Sequence, residues 1–317
     1  MSQLFYCRTV RPELLQPDTT WDLHKFLPET VTFFQSRESI EKFGLVYLPL
    51  IRPLGDGSYE ILTGKRSCLF FHSLDQEAEI PCRILADGFS MVQVLALIHE
   101  EYAMRKPLTE IELAYYLQLC QLKLNTEDQH RLFAALGLPV NPGALKRLFD
   151  LLTLDLPMQE ALMTGDISEN IARELLKLSI SDRAAVFSLF RQLNIGGGKQ
   201  KRMLSLVSDL AGSEGVSLSE YIERESFQAL LNHPEMNIPQ KSQSLLQLLQ
   251  QNHTPSLSEA ENQFKRWSKE LALPDSCTVS HSPAFEQDAV TLSITFSSPE
   301  QLENCLHKIQ PYFTGYS

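Results

Sequence analysis

The amino-acid sequence predicts a multi-domain, mainly α-helical protein with small α/β modules at its two ends. At 317 residues the chain is longer than a single core commonly supports, so two or three modules are expected. Apolar residues recur at spacings of three and four from Met91 to about Leu249, which is typical of helices. Residues 35–88 read as helix, strand, turn, strand, helix and strand, with GDGSY at 55–59 as the turn.

The C-terminal module is predicted from the order helix, strand, strand, helix. Residues 258–271 form an amphipathic helix that carries Phe264 and Trp267. One face of the second strand would hold Val290, Leu292, Ile294 and Phe296, and one side of the last helix would hold Leu302, Leu306 and Ile309. Because roughly 60 residues bury little surface, we expect this module to pair with a second copy.

The predicted domain boundaries follow changes in these patterns. HPEMNIPQ and NHTPSLS flank a polar Gln/Ser/Leu helix, which is typical of a spacer. The domains are 1–104 (α/β), 105–231 (all-α), 232–257 (linker) and 258–317 (C-terminal module).

Composition and charge limit the classes of function. The formal net charge of -11 argues against a protein that coats nucleic acid through bulk electrostatics. Residues 165–205 are the local exception, because they hold seven bases against four acids. No apolar run approaches the roughly 18 residues that a membrane span needs, so we expect a cytoplasmic protein with no membrane partner. Six scattered cysteines, none at zinc-ligand spacing, are expected to be free thiols.

A helix-turn-helix is predicted at about 126–154. Its first helix runs from 127 to 136 behind Thr126 as N-cap, and its second from about Pro142 to Leu154. Gly137 permits the left-handed backbone of the tight turn, and Pro142 suits the first turn of a helix. The core stripe of the second helix would be Leu145, Leu148, Phe149, Leu151 and Leu152. An ordinary helical hairpin remains the alternative, because this geometry is common in proteins that never touch DNA.

Donor side chains on this second helix and on a downstream segment are the candidate DNA contacts. Asn141, Lys146 and Arg147 lie on the outward side, where Asp150 would repel phosphates. IGGGKQKR at 195–202 is predicted to be a glycine-rich loop, either a phosphate contact or a solvated turn; it lacks the GK[ST] ending of a nucleotide loop. The full candidate set is Asn141, Lys146, Arg147, Ser168, Arg173, Lys199, Lys201 and Arg202, with Ser168 also the expected N-cap of a helix.

Five segments resemble, in order, those of the ParB-type partition protein family. They are VRPELLQPD (10–18), SIEKFGLVYLPLIRPLGDGSYEILTGKRS (39–67), ALIHEEYAMRKPLTEIELAYYLQL (96–119), LPMQEALMTGDISENIARELLKL (156–178) and the C-terminal module (258–317). The resemblance covers nearly the whole chain. It implies a ParB/sulfiredoxin-like N-terminal domain, a helix-turn-helix domain and a small dimerisation domain.

The resemblance also implies a site for CTP and magnesium, which departs from the family's pattern. The implied nucleotide residues are Gly44, Gly64, Lys65, Arg66, Glu101 and Arg105, with Glu101 on the metal. Where the family's first phosphate motif reads GERRxRA, this chain has Ser67 and Leu69 in place of two arginines, and neither replaces a guanidinium fork. Where the second motif reads ENxxR, Tyr102 replaces the asparagine and offers no carbonyl oxygen to a hard cation. The site is therefore predicted to be degenerate.

The functional expectation is a homodimeric, nucleoid-associated DNA clamp of chromosome or plasmid partition. Its expected partners are double-stranded DNA, a second copy and, by resemblance, a ParA-type ATPase. The alternative is a nucleotide-independent DNA-binding regulator or adaptor on the same scaffold. Enzymatic activity is not expected, because no residue set for in-line attack is intact; residual CTP hydrolysis is left open. Cys68 follows Arg66, the reverse of the sulfiredoxin order, so a sulfiredoxin-like reaction is not expected either.

Overall fold

The computed structural model describes residues 5–16, 19–28, 35–75, 77–104, 106–271, 273–274, 276–282, 289–298 and 302–303. They form two compact units, Met1–Ser179 and Ile180–Ser317, and each is described by itself. The first unit contains the strands β1 (Phe5–Val10), β2 (Leu15–Gln16), β3 (Leu50–Pro53), β4 (Tyr59–Thr63) and β5 (Ile80–Leu85). Its helices are α1 (Arg37–Phe43), α2 (Lys65–Leu74), α3 (Met91–Ala103), α4 (Glu110–Lys123), α5 (Thr126–Leu136), α6 (Pro142–Leu151), α7 (Leu156–Thr164) and α8 (Glu169–Leu176).

The second unit contains six described helices and two described strands. They are α9 (Ile180–Leu193), α10 (Gly197–Glu214), α11 (Leu218–Ile222), α12 (Glu225–Leu231), α13 (Ile238–His253), α14 (Pro255–Glu270), β6 (Cys277–His281) and β7 (Val290–Ile294). The predicted fold class is confirmed: the described residues are mostly helical, with a small mixed sheet near the N terminus and a small sheet near the C terminus.

The N-terminal sheet has the strand order β1-β5-β3-β4-β2. The pairs β1–β5 and β3–β4 are antiparallel, whereas β3–β5 and β2–β4 are parallel. The central strands are apolar because helices cover them, and Leu50, Ile51 and Ile84 are fully buried. The elements from α1 to β5 are those predicted from the sequence, whereas β1 and β2 were missed.

Helices α5 and α6 form in the segment where the helix-turn-helix is predicted, with a correction at each end: α6 ends at Leu151 rather than near Leu154. The N-cap of α5 is Asn125 rather than Thr126, because the Asn125 side chain accepts the amide of Asp128. Gly137 ends α5 in the left-handed conformation at φ 66°, and Pro142 occupies the first turn of α6. Leu148 and Leu151 of α6 are buried.

Unit two is a helical array with a two-stranded antiparallel sheet. The sequence stretch interpreted as a linker contains α13, which buries Leu245 and Leu249, so much of that stretch is packed within the unit. The division into three domains and a linker stays a prediction. In β7, Leu292 and Ile294 are half-buried, whereas Val290 and the following Phe296 are about half exposed. Of the predicted last helix, the described residues include only Leu302 and Glu303.

No described helix is both long enough and apolar enough to cross a lipid bilayer.

Candidate functional site

Arg66 is the centre of the predicted nucleotide site, and its guanidinium is fully engaged by the protein. It lies in the first turn of α2 and is 7% exposed. Its Nη1 donates to both carboxylate oxygens of Asp22 at 2.7 Å, and its Nη2 donates to the carbonyl oxygens of His24 (2.7 Å) and Leu27 (3.0 Å). Arg66, the residue predicted to bind a phosphate, is therefore already paired with the carboxylate of Asp22.

The start of α2 is shaped by Gly64. Its φ of +83° lies in the left-handed region, and an added Cβ would lie 3.0 Å from Cα and Cβ of Pro49. Gly64 is thus required by the backbone whether or not a nucleotide binds. Lys65 follows it and is half-buried, and Ser67 is buried.

Glu101 and Tyr102 lie at the position of the second phosphate motif, and both are held by contacts within the protein. Tyr102 is 6% exposed, and burial, followed by the nearby Asp22 carboxylate, raises its pKa. Glu101 Oε1 lies 2.6 Å from Nη1 of Arg83, and Glu101 Oε2 accepts the Thr63 hydroxyl at 2.9 Å. The implied metal ligand is therefore already neutralised by a cation. Arg105 lies outside the described residues.

The loop after α1, which contains the implied nucleotide residue Gly44, is hydrogen-bonded to Gln35. The Gln35 amide donates to the Gly44 carbonyl at 2.8 Å and accepts from the Val46 amide at 2.9 Å. Gln35 is 8% exposed. One donor and one acceptor of this loop backbone are therefore satisfied within the chain.

The cavity left beside Arg66 is small. It measures about 30 Å³ and is lined by Trp21, Asp22, His24, Ile61, Leu62, Thr63, Gly64, Lys65, Arg66, Ser67 and Tyr102. That volume holds a water molecule or two, whereas pockets for organic ligands measure roughly 300 to 1,000 Å³. Leu69 instead lines a separate cavity of about 240 Å³ with Cys68, whose pKa is raised well above its ordinary value by burial. Cys68 is therefore a thiol rather than a thiolate nucleophile.

Residues 19–28, which supply Asp22, are anchored by Trp21. The indole Nε1 donates to Oε1 of Glu60 at 2.5 Å, and the side chain is 1% exposed. Arg52 and Lys123 lie 5.5 Å and 4.8 Å from the centroid of the ring. This segment is thus held by both the sheet and helix α4.

His24 and Glu112 form a second buried contact between this segment and α4. His24 Nε2 lies 2.8 Å from Glu112 Oε1, and both side chains are at most 3% exposed. Burial by itself would raise the pKa of Glu112, but hydrogen bonds from His24 and from the amide and hydroxyl of Thr109 outweigh it and lower that pKa to about 2. Glu112 is therefore ionised at neutral pH.

The predicted DNA-contacting residues of helix α6 are exposed, but the side chains of Asn141 and Lys146 already have partners within the helix. Asn141 accepts the Ala144 amide at 2.7 Å as the N-cap. Lys146 is 76% exposed and pairs with Asp150 at 3.0 Å, while Arg147 is also exposed. The basic side chains are accessible, and that of Lys146 is already paired with a carboxylate on its own helix.

Ser168 and Arg173 serve the structure of unit one. Ser168 caps α8 by accepting the Ile171 amide at 3.3 Å, as predicted. Arg173 pairs with Glu169 and also donates to the Arg147 carbonyl at 3.3 Å, so it joins α8 to α6. DNA contact by Ser168 or Arg173 stays a prediction.

The predicted glycine-rich loop at 195–202 is instead the beginning of α10. Gly196 is its N-cap, and the helix starts at Gly197. Lys199, Lys201 and Arg202 are exposed on its first two turns, and Arg202 donates to the Gln250 side chain. The cations are thus held on a helix rather than on a mobile turn.

Comparison with known proteins identifies similar solved structures. No protein-family model and no curated protein sequence matches the chain. One similar structure is the C-terminally truncated chromosome-partitioning protein ParB from Caulobacter crescentus complexed with CTP-gamma-S: 20% identity, 55% of this chain and 93% of that chain, TM-score 0.24. Another is the same protein complexed to the centromeric parS site: 18% identity, 68% of this chain and 96% of that chain, TM-score 0.28.

Both of these structures are of a ParB protein, and ParB-type proteins are the family that the sequence motifs resemble. At these identities and TM-scores, the ParB structures support no transfer of ligands or residue roles to this chain.

Two residues at the nucleotide site were missed by sequence reasoning. Asp22 lies 44 positions before Arg66, and Gln35 lies outside the family motifs. A lone acid in TTWDLHK carries no signal that it will meet a buried arginine, so only the folded contact reveals it.

Proposed function

We propose that this chain is a ParB-like protein that binds double-stranded DNA and does so without CTP. The independence from CTP is supported by the hydrogen bonds of Arg66. Its guanidinium already donates to Asp22 and to two backbone carbonyls, and the cavity beside it measures only about 30 Å³. A triphosphate would have to displace the Asp22 carboxylate from a buried guanidinium, and Ser67 and Leu69 offer it no replacement cations.

The proposal of DNA binding rests on exposed donors and on the order of motifs in the sequence. Lys146 and Arg147 of α6 are exposed and can reach base edges or phosphates. Leu148 and Leu151 of the same helix are buried and hold it against the protein. The acidic net charge of -11 makes non-specific affinity low, so binding depends on a specific site.

Selection of bound DNA with the full-length chain tests this proposal. Sheared genomic DNA from the source organism is incubated with the protein, and bound fragments are sequenced and footprinted with and without CTP and Mg²⁺. We expect one recurring sequence, the same footprint in both conditions, and no rise in melting temperature on adding CTP. A footprint that requires CTP would overturn nucleotide independence, and the absence of any enriched sequence would overturn specific DNA binding.

A double substitution identifies the reading helix. Lys146→Ala with Arg147→Ala is expected to abolish the specific footprint, because each lost phosphate contact lowers the salt slope of binding by about 0.9 and each lost base contact costs about 1–3 kcal/mol. Arg266→Ala with Lys269→Ala is the matched control, since it removes two exposed cations from α14. An unchanged footprint in the first variant would exclude α6 as the reader.

The finer assignments belong to the same proposal. We assign the C-terminal module to homodimerisation, the cellular role to chromosome or plasmid partition at the nucleoid, and the implied partner to a ParA-type ATPase. Light scattering of the full chain is expected to give twice the monomer mass of 36.0 kDa. A monomer at micromolar concentration would remove the dimer from the proposal.

A further inference from the structure

Helix α10 begins without a side-chain cap. Its 18 residues start after Gly196, and no side chain of that residue can accept the first-turn amides. Gly197 and Gly198 follow, both exposed, and a Cβ built on either would meet no atom within 4 Å. The start of this long helix therefore borders open space, and the positive end of the helix dipole lies there.

The cavity in front of these glycines contains a buried hydroxyl. It measures about 690 Å³ and is lined by Leu193, Asn194, Ile195, Gly196, Gly197, Gly198, Lys199, Ile238, Pro239 and Ser242. Ser242, on α13, is 1% exposed, and its Oγ has no hydrogen-bond partner among the described residues. A buried hydroxyl commonly has a partner, and a group bound in this cavity would supply one to Ser242.

The charge around the cavity selects an anion. Lys199 lies in its wall, Lys201 and Arg202 follow on the same helix, and no acid occurs among the described residues that line it. Helix α13 begins at the same cavity, but its amides are already capped by Asn237, which accepts from Gln240. Only α10 of these two helices has its N terminus available.

We propose that the N terminus of α10, together with Ser242 and Lys199, is a phosphate-binding site that holds a backbone phosphate of DNA. This inference rests on the proposed DNA binding and adds to it main-chain amides and a residue, Ser242, that lie outside the predicted reading helix. Helix N-terminal amides bind phosphate through hydrogen bonds and the helix dipole. The shared chemistry of the ligand is a phosphate group, and free inorganic phosphate is the other source to be distinguished.

A substitution that fills the site with its own anion provides the test. Gly196→Asp places a carboxylate at the N-cap, where φ is -76° and ψ is 166°, a conformation open to any residue. It caps the helix, so folding is preserved while the amides become occupied. Gly212→Asp is the control, because it adds the same charge at the other end of α10, also in open space.

Anisotropy titrations over a salt series, using the duplex recovered by genomic selection, measure the effect. We expect Gly196→Asp to weaken binding about tenfold and to lower the salt slope by about 0.9, as for one lost phosphate contact. Gly212→Asp is expected to change affinity less than threefold. Ser242→Ala is expected to weaken binding about threefold with an unchanged slope, because a hydroxyl carries no charge.

Glycine-specific ¹⁵N labelling distinguishes the two sources of phosphate. The chain has 14 glycines, so the amide spectrum is simple enough to follow during titration. We expect the signals of Gly197 and Gly198 to shift with DNA in the wild-type protein and not in Gly196→Asp. Shifts with inorganic phosphate but not with DNA would overturn the inference in favour of a small-anion site.

The remaining outcomes separate this inference from the proposed function. If wild-type protein binds DNA and Gly196→Asp binds it equally with the same salt slope, the inference is wrong and DNA binding stands. If the wild-type chain binds no DNA at all, both are wrong.

Discussion

Replacing Asp22 by alanine is expected to destabilise unit one strongly. The substitution removes both 2.7 Å hydrogen bonds to Arg66, whose side chain is only 8% exposed. Breaking a buried ion pair by removing one partner costs about 3–5 kcal/mol, since the other charge is left uncompensated. Two backbone carbonyls still accept from Arg66, which places the expected cost near about 3 kcal/mol. For a unit of this size, that corresponds to a fall in melting temperature of roughly 6–12 °C.

The assay needs a signal that reports on unit one alone, because unfolding of a two-unit chain is not a single transition. The sequence has two tryptophans, and Trp21 is buried next to the substituted residue. In a Trp267→Phe background, the urea dependence of Trp21 fluorescence therefore gives the free energy of unfolding of unit one. Glu127→Ala is the control, since its exposed i,i+4 pair with Arg131 contributes at most about 0.5 kcal/mol.

A small effect would refute the reasoning. If Asp22→Ala costs no more than Glu127→Ala, Arg66 is not held by Asp22 and the nucleotide site is not filled internally. The double variant Asp22→Ala with Arg66→Met is expected to recover part of the lost stability, because it removes the uncompensated charge. Stabilisation of Asp22→Ala by CTP and Mg²⁺, greater than that of the wild-type chain, would instead show that Asp22 competes with nucleotide.

Three further predictions concern pH, backbone conformation and charge. The pKa of Glu112 is about 2 in the folded chain against an ordinary 4.5, so its ionisation contributes stability that is complete above about pH 4.5 and is lost as the pH falls toward 2. Glu112→Gln is expected to flatten the dependence of stability on pH in this range, as followed by circular dichroism. Gly64→Ala is expected to cost more than Gly165→Ala in chemical denaturation, because both have φ of +83° but only Gly64 meets Pro49; equal costs would contradict a clash. Asp150→Asn is expected to tighten DNA binding in anisotropy titrations by removing a carboxylate from the reading helix, and weaker binding would count against that orientation.

The order of elements in the N-terminal domain was predictable because its signals are local. The turn GDGSY and the apolar runs around it lie within a few residues of one another, and they became β3 and β4. Strand β1 was missed because FYCRTV shows no clean alternation. It is an edge strand with only Val10 buried, and it exists through pairing with β5.

The glycines before Lys199 show where propensity and packing disagree. Three consecutive glycines favour a loop by intrinsic propensity, yet α10 begins within them. The helix is fixed further along by Met203 and Leu204, both buried against the unit, and tertiary packing extends it back to Gly197. The sequence identified the basic residues of this segment but not the helix terminus that presents them.

Retained motif residues are weak evidence for a retained ligand when the fold supplies another partner. A buried guanidinium requires an anion, and in this structure Asp22 meets that requirement without nucleotide. Gly64 is likewise required by its positive φ and by Pro49. Arg66 and Gly64 would therefore persist in a protein that never binds CTP, and the side chains that decide the question are Asp22 and Gln35, which the motifs do not include.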